Sequence, residues 1–421
     1  MLTTALFRHA SALLGQIVDG PPPADRRMEA YFKSHPRLGS HDRGRVAEAV
    51  YACLRRLARL RHVAGAGAPA NAWLAVHLLE GGSSARVLEQ LGYRGEGDLE
   101  ARELAARLRT LDAAALPPSV RLNLPDWLLD RLLAQLGAEE TEALAAALDA
   151  PAPLDVRINP MKADREAVRA RLASEGHALE PTPWSPLGLR RADRAPLFAT
   201  QAFRDGLFEV QDEGSQLLGL LVEPRRRETV VDYCAGAGGK ALQLAAQMAN
   251  TGAVYAFDVN AHRLERIRPR LRRAGIDNVQ PVAITGAADA RVRRLHGKAD
   301  RVLVDAPCSG TGTLRRNPDI KWRPTDPAAL AAVQGEILAE AAALVRPGGR
   351  LVYATCSLLR EENEDVVAAF LAGHAEYAII PAAEALARRQ IVLPDAGHYL
   401  RLWPHRHGTD GFFGAVLLRA G

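Results

Sequence analysis

The sequence predicts an α/β protein: a doubly wound, largely parallel sheet in the carboxyl-terminal half, preceded by an all-helical domain and a small α+β adaptor. Three observations carry this. Residues 1–150 show helical periodicity nearly throughout, with no alternating stretch; a proline-rich hinge, DAPAPLDVRINP, covers residues 149–160; and from Gln211 onward short β-rich runs alternate with helical ones. Strands apolar on both faces and joined by helical crossovers belong in a parallel sheet covered on two sides. The domains are therefore placed at 1–148, 149–208 and 209–421.

Helix is clearest in HDRGRVAEAVYACLRRLARL, where Val46, Val50, Cys53, Leu57 and Leu60 recur at three- or four-residue spacing while Arg45, Glu48, Arg55, Arg56 and Arg59 fall elsewhere. Cys53 thus reads as a core residue. Segments 70–80, 98–110, 126–136 and 139–148 are similarly rich in alanine and leucine. After the hinge, a strand at 155–158, a helix at 163–174 and short strands among prolines make up the adaptor. The sheet strands are TVVDYCAG (229–236), AVYAFDV (253–259), VQPVAI (279–284), ADRVLVDA (299–306) and GRLVYATC (349–356), with GFFGAVLLR (411–419) as an antiparallel edge.

Composition narrows the function. With 421 residues, 48% hydrophobic and 24% charged, the chain is neither disordered nor a stapled miniprotein. No apolar run reaches the roughly 18 to 20 residues that span a bilayer, and the amino terminus lacks the features of a secretion signal, so a cytoplasmic protein is expected. Four cysteines without a CxxC pair exclude a disulfide framework and a structural zinc site, and no metal is expected. The net charge of +5 arises beyond the helical domain, because residues 1–150 hold 18 basic and 18 acidic side chains. Such a balance is compatible with a polyanionic partner.

Ligands of open parallel sheets bind beyond the carboxyl ends of the strands. Here those ends carry Gly236 to Lys240, Asp258, Asp289, Asp305 to Thr311, and Cys356 with Ser357. The glycines of DYCAGAGGK let backbone approach a ligand and free amide groups at a helix start. Gly236, Gly238 and Ala241 also satisfy G-x-G-x-x-A, with Asp258 placed for a ribose, so a nicotinamide-dependent oxidoreductase is one alternative. The later loops, DAPCSGTG (305–312) and YATCS (353–357), favour another chemistry. Hydride transfer needs no thiol there, whereas two thiols and a carboxylate beside a nucleoside suit carbon methylation of a pyrimidine. Cytosine C5 is too weak a nucleophile unaided; a thiolate added at C6 makes it enamine-like. Spacing alone does not choose which cysteine attacks.

DYCAGAGGK, AFDVNAHRLERI, VLVDAPCSGTG, RRNPDIKW, LVYATCSLLREEN and GTDGFFGAVLL, in this order, resemble the RsmB-like RNA (cytosine-5)-methyltransferase family; VRINP and FEVQDEGSQL extend the similarity back to the hinge. The resemblance implies a Rossmann-like fold that binds S-adenosylmethionine, and LGSHDRGRVAEAVYACLRRL is compatible with the NusB-like RNA-binding domain of several members. It makes Cys356 the nucleophile and Cys308 the thiol assisting product release, with Asp305 at the cytosine edge and Lys240 nearby. Cofactor contacts are implied for Cys234, Ala235, Gly236, Ala237, Gly238, Gly239 and Lys240. Asp258 belongs at the ribose and Asp289 near adenine, with Arg263 and Asp305 alongside. Ala237 stands where many members have proline and Ala241 where threonine is common, which bears on loop rigidity.

The basic and aromatic loop RRNPDIKW reads as an RNA contact through Arg315, Arg316, Lys321 and Trp322. Arg263, Arg266, Arg270 and Arg273 share a helical face and read as solvated. Pro269 inside that helix should cost about 3 kcal/mol or kink it. The expected partner is RNA, ribosomal RNA first, for a monomeric enzyme; transfer RNA, or a non-catalytic assembly role, are the alternatives.

Overall fold

The computed structural model describes residues 2–20, 23–193 and 195–421. They form two compact units. One comprises Met1–Pro151 with Thr313–Thr325, and the other comprises Ala152–Gly312 with Asp326–Gly421.

The first unit is helical. Helices Thr4–Val18, Ser40–Arg55, Leu57–Ala64, Ala70–Glu80 and Ala101–Thr110 surround a core that includes Leu13, Leu14, Val50, Leu54, Leu74 and Leu104. The periodic stretch expected to be one helix breaks at Arg56. Cys53 is buried in this core, and burial pushes its thiol up. Helices Asp126–Leu136 and Ala138–Asp149 complete the amino-terminal run.

Segment Thr313–Thr325 belongs to this unit and corrects the RNA-contact reading of its loop. Lys321 is only 1% exposed; its ammonium pairs with Asp149 at 2.8 Å and donates to the Arg55 carbonyl at 3.2 Å. The indole Nε1 of Trp322 donates to the Leu54 carbonyl at 2.7 Å, and the ring packs on the helical core. Arg315 is buried, with its own carbonyl accepting from Arg55, and Arg316 is half-buried with its polar groups engaged. A cation and an indole satisfied this way are unavailable to phosphate and base; the composition of a nucleic-acid loop has been spent on packing.

The second unit holds two sheets. Strands β1 (Leu154–Ile158), β2 (Glu180–Pro181), β3 (Gly188–Arg191) and β4 (Phe208–Val210) form an antiparallel sheet in the order β2-β3-β1-β4, with helix Arg165–Ser174. Charged clamps bind it to the larger sheet's helices. Asp155 takes a bidentate contact from Arg190, at 2.7 and 2.8 Å, and accepts from the Glu213 amide; Asn159 donates to the Ala274 carbonyl. The adaptor and catalytic segments therefore form one unit.

The larger sheet contains β5 (Thr229–Asp232), β6 (Ala253–Asp258), β7 (Val279–Ala283), β8 (Ala299–Asp305), β9 (Val345–Thr355), β10 (Tyr377–Ile380), β11 (Leu400–Leu402) and β12 (Phe412–Arg419). Its order is β10-β12-β9-β8-β5-β6-β7, with β11 also paired to β12. The five strands from β9 to β7 run parallel. The last strand is antiparallel, as expected, but is not an edge: β9 lies on one side and β10 on the other. Between β6 and β7 the helix breaks at Glu265 and Arg266 and restarts as Ile267–Ala274. Pro269 then falls in a first turn, where its missing N–H is not needed, so the expected penalty disappears.

Lys321→Ala should destabilise the helical unit by about 3 kcal/mol, because it strands Asp149 beside an emptied site. Urea unfolding of the full chain, followed by far-ultraviolet circular dichroism, measures this.

Candidate functional site

The order of strands in the larger sheet reverses at β5, which lies between β6 and β8. This is the topological switch point, where a crevice opens beyond the strand ends. A cleft of about 700 Å³ occupies it, lined by Cys234, Ala235, Gly236, Ala237, Gly239, Lys240, Asp258, Arg263, Asp305, Cys308 and Cys356. Two expected residues do not line it. Gly238 sits behind the loop with φ +81°, and a Cβ there would meet Ile267 at 2.2 Å, so glycine is required for packing against the next helix. Asp289 caps the short helix Ala290–Arg293, accepting from the Arg291 amide and pairing with its guanidinium at 2.6 Å. That partner holds its carboxyl below the usual range.

The glycine loop is fixed by its carbonyls. Arg270 donates to the Ala237 carbonyl at 2.7 Å, and Arg157, buried in the adaptor, donates to the Gly239 carbonyl at 3.0 Å. Glu209 pairs with both Arg270 and Arg273, so these two arginines are structural rather than solvated. Asp258, at the end of β6, accepts from the Gly236 and Asn260 amides, each at 2.7 Å. Val259, next to it, is 73% exposed at the cleft and offers an apolar surface.

At the other side of the crevice the Lys240 ammonium pairs with Asp305 at 2.7 Å. Burial depresses the lysine, but the Asp305 and Asp232 carboxylates and Cys356 outweigh it and leave the ammonium more firmly protonated than usual. The Cys308 and Cys356 sulfurs lie 3.4 Å apart, both partly exposed to the cleft. The contact with Cys356, then burial, pushes the Cys308 thiol well up. Cys234 also lines the cleft, and burial raises its thiol too.

Sequence reasoning missed Asp232. It ends β5, is 1% exposed and lines the cleft; neither carboxylate oxygen makes a well-formed hydrogen bond, with only the Ala241 amide and the Lys240 charge favouring its ionised form. Burial, followed by the Asp305 charge, raises it to about 7. The strand-end rule that selected Asp258 and Asp305 applied equally to Asp232, but the glycines that follow drew the eye past it. A buried carboxylate without a well-formed hydrogen bond asks for a cationic group. The ammonium of S-adenosylmethionine fits that need, its ribose fits Asp258, and its adenine fits the apolar surface of Val259 and Ile284.

This sheet order and these strand ends define an S-adenosylmethionine-dependent methyltransferase. The family described as 16S rRNA methyltransferase RsmB/F matches residues 219–418, and an RsmF/B-like ferredoxin-like domain matches residues 124–196. The chain belongs to the RsmB/F methyltransferase family. It is 34% identical over 291 residues to a probable ribosomal RNA small subunit methyltransferase B of Bacillus subtilis, a match spanning 69% of this chain and 65% of that one. The corresponding protein of Synechocystis is 34% identical over 313 residues, covering 74% of this chain and 70% of its own. Among solved structures, a methyltransferase homolog protein from Pyrococcus horikoshii superposes with a TM-score of 0.61 at 29% identity, over 72% of this chain and all of its own. These relationships remove the oxidoreductase alternative.

A carboxyl group raised by folding from its ordinary 3.8 costs stability once ionised, the cost growing from about pH 4 and reaching its full size above pH 7. Asp232→Asn should therefore raise the Tm above pH 7 and leave it nearly unchanged at pH 4. The same substitution should weaken S-adenosylmethionine binding about tenfold or more, as the loss of a charged hydrogen bond implies. Differential scanning fluorimetry across pH, with and without the cofactor, reads both.

Proposed function

We propose that the protein forms 5-methylcytosine in 16S ribosomal RNA through a transient bond between Cys356 and C6 of the base. The observation that carries this reading is the pair of sulfurs in contact at the mouth of the cofactor cleft. A single thiol at a strand end is often mere packing; two, on adjacent strands and open to one cleft, have a chemical purpose.

The sulfur of Cys356 adds to C6, and the charge this pushes into the ring meets the Lys240 ammonium, fixed by Asp305 and already protonated. Asp305 holds the cytosine edge. C5 becomes enamine-like, and S-adenosylmethionine supplies the methyl group it takes. Cys308, having first given its own proton to solvent, takes the C5 proton as the C6–sulfur bond breaks; Cys356 departs as a thiolate and the aromatic ring is restored. Thiol ionisation contributes modestly, since a free thiol is already a few per cent ionised at neutral pH. The larger share comes from holding base, sulfur and donor in one geometry. The base enters from an unpaired or extruded position, because a thiol cannot reach C6 inside a helix.

With Lys321 and Trp322 in the core, RNA contact moves elsewhere in the helical unit. A cleft of about 920 Å³ there is lined by Arg56, Arg59, Arg102 and Arg109 with Ser83 and Ser84, and by Glu80 and Asp149, whose carboxylates are engaged by Arg59 and Lys321. Arg59 is paired with Glu80, whereas Arg56, Arg102 and Arg109 are exposed and form no ion pair among the described residues. Three free guanidinium groups around one cleft favour the phosphates of the RNA strand.

Cys356→Ala should abolish turnover, and Cys308→Ala should let RNA accumulate covalently on the protein; full activity in both variants would remove the thiol mechanism. Bisulfite sequencing of ribosomal and transfer RNA from a deletion strain identifies the modified base and tests the ribosomal assignment. The double substitution Arg102→Ala with Arg109→Ala should reduce the slope of log affinity against log salt by about 1.4 to 1.8, with cofactor binding unchanged. Filter binding at several salt concentrations measures it.

A further inference from the structure

Glu362 has no role in the chemistry above, yet it grips both cysteine loops. It ends the turn Arg360–Glu362, six residues beyond Cys356, and is fully buried. Its Oε1 accepts from the Ser309 amide at 2.8 Å and from Gln334 Nε2 at 2.9 Å, and its Oε2 accepts from the hydroxyls of Ser309 and Ser357. Ser309 follows Cys308, and Ser357 follows Cys356. One carboxylate therefore holds the residue next to each thiol. Gln334 extends the grip to the Pro307 carbonyl, at 2.9 Å, on the other side of Cys308. The Tyr353 hydroxyl donates to the main-chain carbonyl of Glu362 at 2.6 Å.

All four donors to this carboxylate are neutral. A buried charge without a cation is expensive, and an amide of the same shape would hold the loops at lower cost. The charge itself therefore needs a purpose, and its surroundings supply one. The titratable groups facing the thiol pair are Glu362 and Tyr353 on one side and the Lys240–Asp305 pair on the other. Tyr353 is kept neutral by burial. The contact with Cys356 and burial disfavour a thiolate at Cys308, and the Glu362 charge adds to both.

We propose that Glu362 is a positioning residue that locks the two cysteine loops at sulfur contact and assigns their roles. In the resting enzyme its grip holds Cys308 in the sulfur contact and the burial that keep its proton on, its charge adding to both, and Cys356, whose own proton goes to solvent, is left as the nucleophile. This rests on the thiol mechanism, but its test does not require methyl transfer.

The test is Glu362→Gln in the full chain, with each cysteine's alkylation by iodoacetamide followed by mass spectrometry across pH in the absence of RNA. Wild-type protein should react first at Cys356. In the variant the midpoint for Cys308 should fall by about one pH unit, and the preference between the two should shrink. Turnover should fall about tenfold or more with KM for RNA and cofactor held within about threefold, the pattern of a lost transition-state interaction. Glu362→Asp, which keeps the charge on a shorter arm, should restore the Cys308 midpoint but only part of the turnover. A Cys308 midpoint unmoved in Glu362→Gln, or a loss confined to KM, overturns the proposal. Should that variant not fold, Ser309→Ala removes one hydroxyl grip and leaves the charge. It should lower turnover with the Cys308 midpoint unchanged, and wild-type turnover there overturns the proposal equally. An active Cys356→Ala protein would discard the thiol mechanism, while the alkylation pattern would still report on Glu362.

Discussion

Parallel pairing of β8 with β9, in the register that sets Asp305 against Ala354, is the constraint from which the site follows. Side by side and pointing the same way, the two strands deliver Cys308 three residues past one pairing partner and Cys356 two residues past the other. The loops then have no freedom to part. Gly312 donates its amide to the Cys356 carbonyl at 2.8 Å, and a Cβ on Gly312 would strike the Gly411 carbonyl at 2.1 Å. The glycines of GTG and TDG thus exist to let three chain segments meet behind the thiols. Because β5 pairs with β8 on its other edge, the cofactor loop reaches the same mouth.

A second level of order comes from arginines that have left solvent. Loops rich in glycine tend to wander, and alanine at 237 forgoes the stiffness of a proline. Here Arg157 and Arg270 tie the loop's carbonyls from two sides, and Glu209 braces Arg270 in turn. The adaptor thereby becomes part of the cofactor site's scaffold. The motifs VRINP and FEVQDEGSQL, which extend the family resemblance back to the hinge, supply Arg157 and Glu209 to that brace.

Much of this architecture is legible in the sequence, for reasons of periodicity. Strands covered on both faces read as apolar runs, as in Val230–Val231 of β5, Val302–Val304 of β8 and Leu351–Ala354 of β9, and the polar tips beyond them mark the crevice. The failures share one cause. Lys321, Trp322 and Asp289 were judged by side-chain chemistry, and chemistry does not say whether a partner lies nearby: Asp149, the Leu54 carbonyl and Arg291 supply them. Asp232 is the converse, an acid whose importance lies in making no well-formed hydrogen bond, which only a folded neighbourhood can reveal. The failure of the edge-strand reading for residues 411–419 has a similar origin, since β10 and β11 are too short to announce themselves.

The insertion of residues 313–325 into the helical unit bears on how the chain is made. The helices up to Asp149 precede that segment in the chain, yet their core lacks the Trp322 indole, and Asp149 lacks its ammonium, until the segment has followed. Vectorial folding, domain by domain, is thereby interrupted. The helical unit is complete only once β8 and the Cys308 loop, which precede Thr313, have been made, so a product truncated before that segment is incomplete in a region far upstream of the truncation.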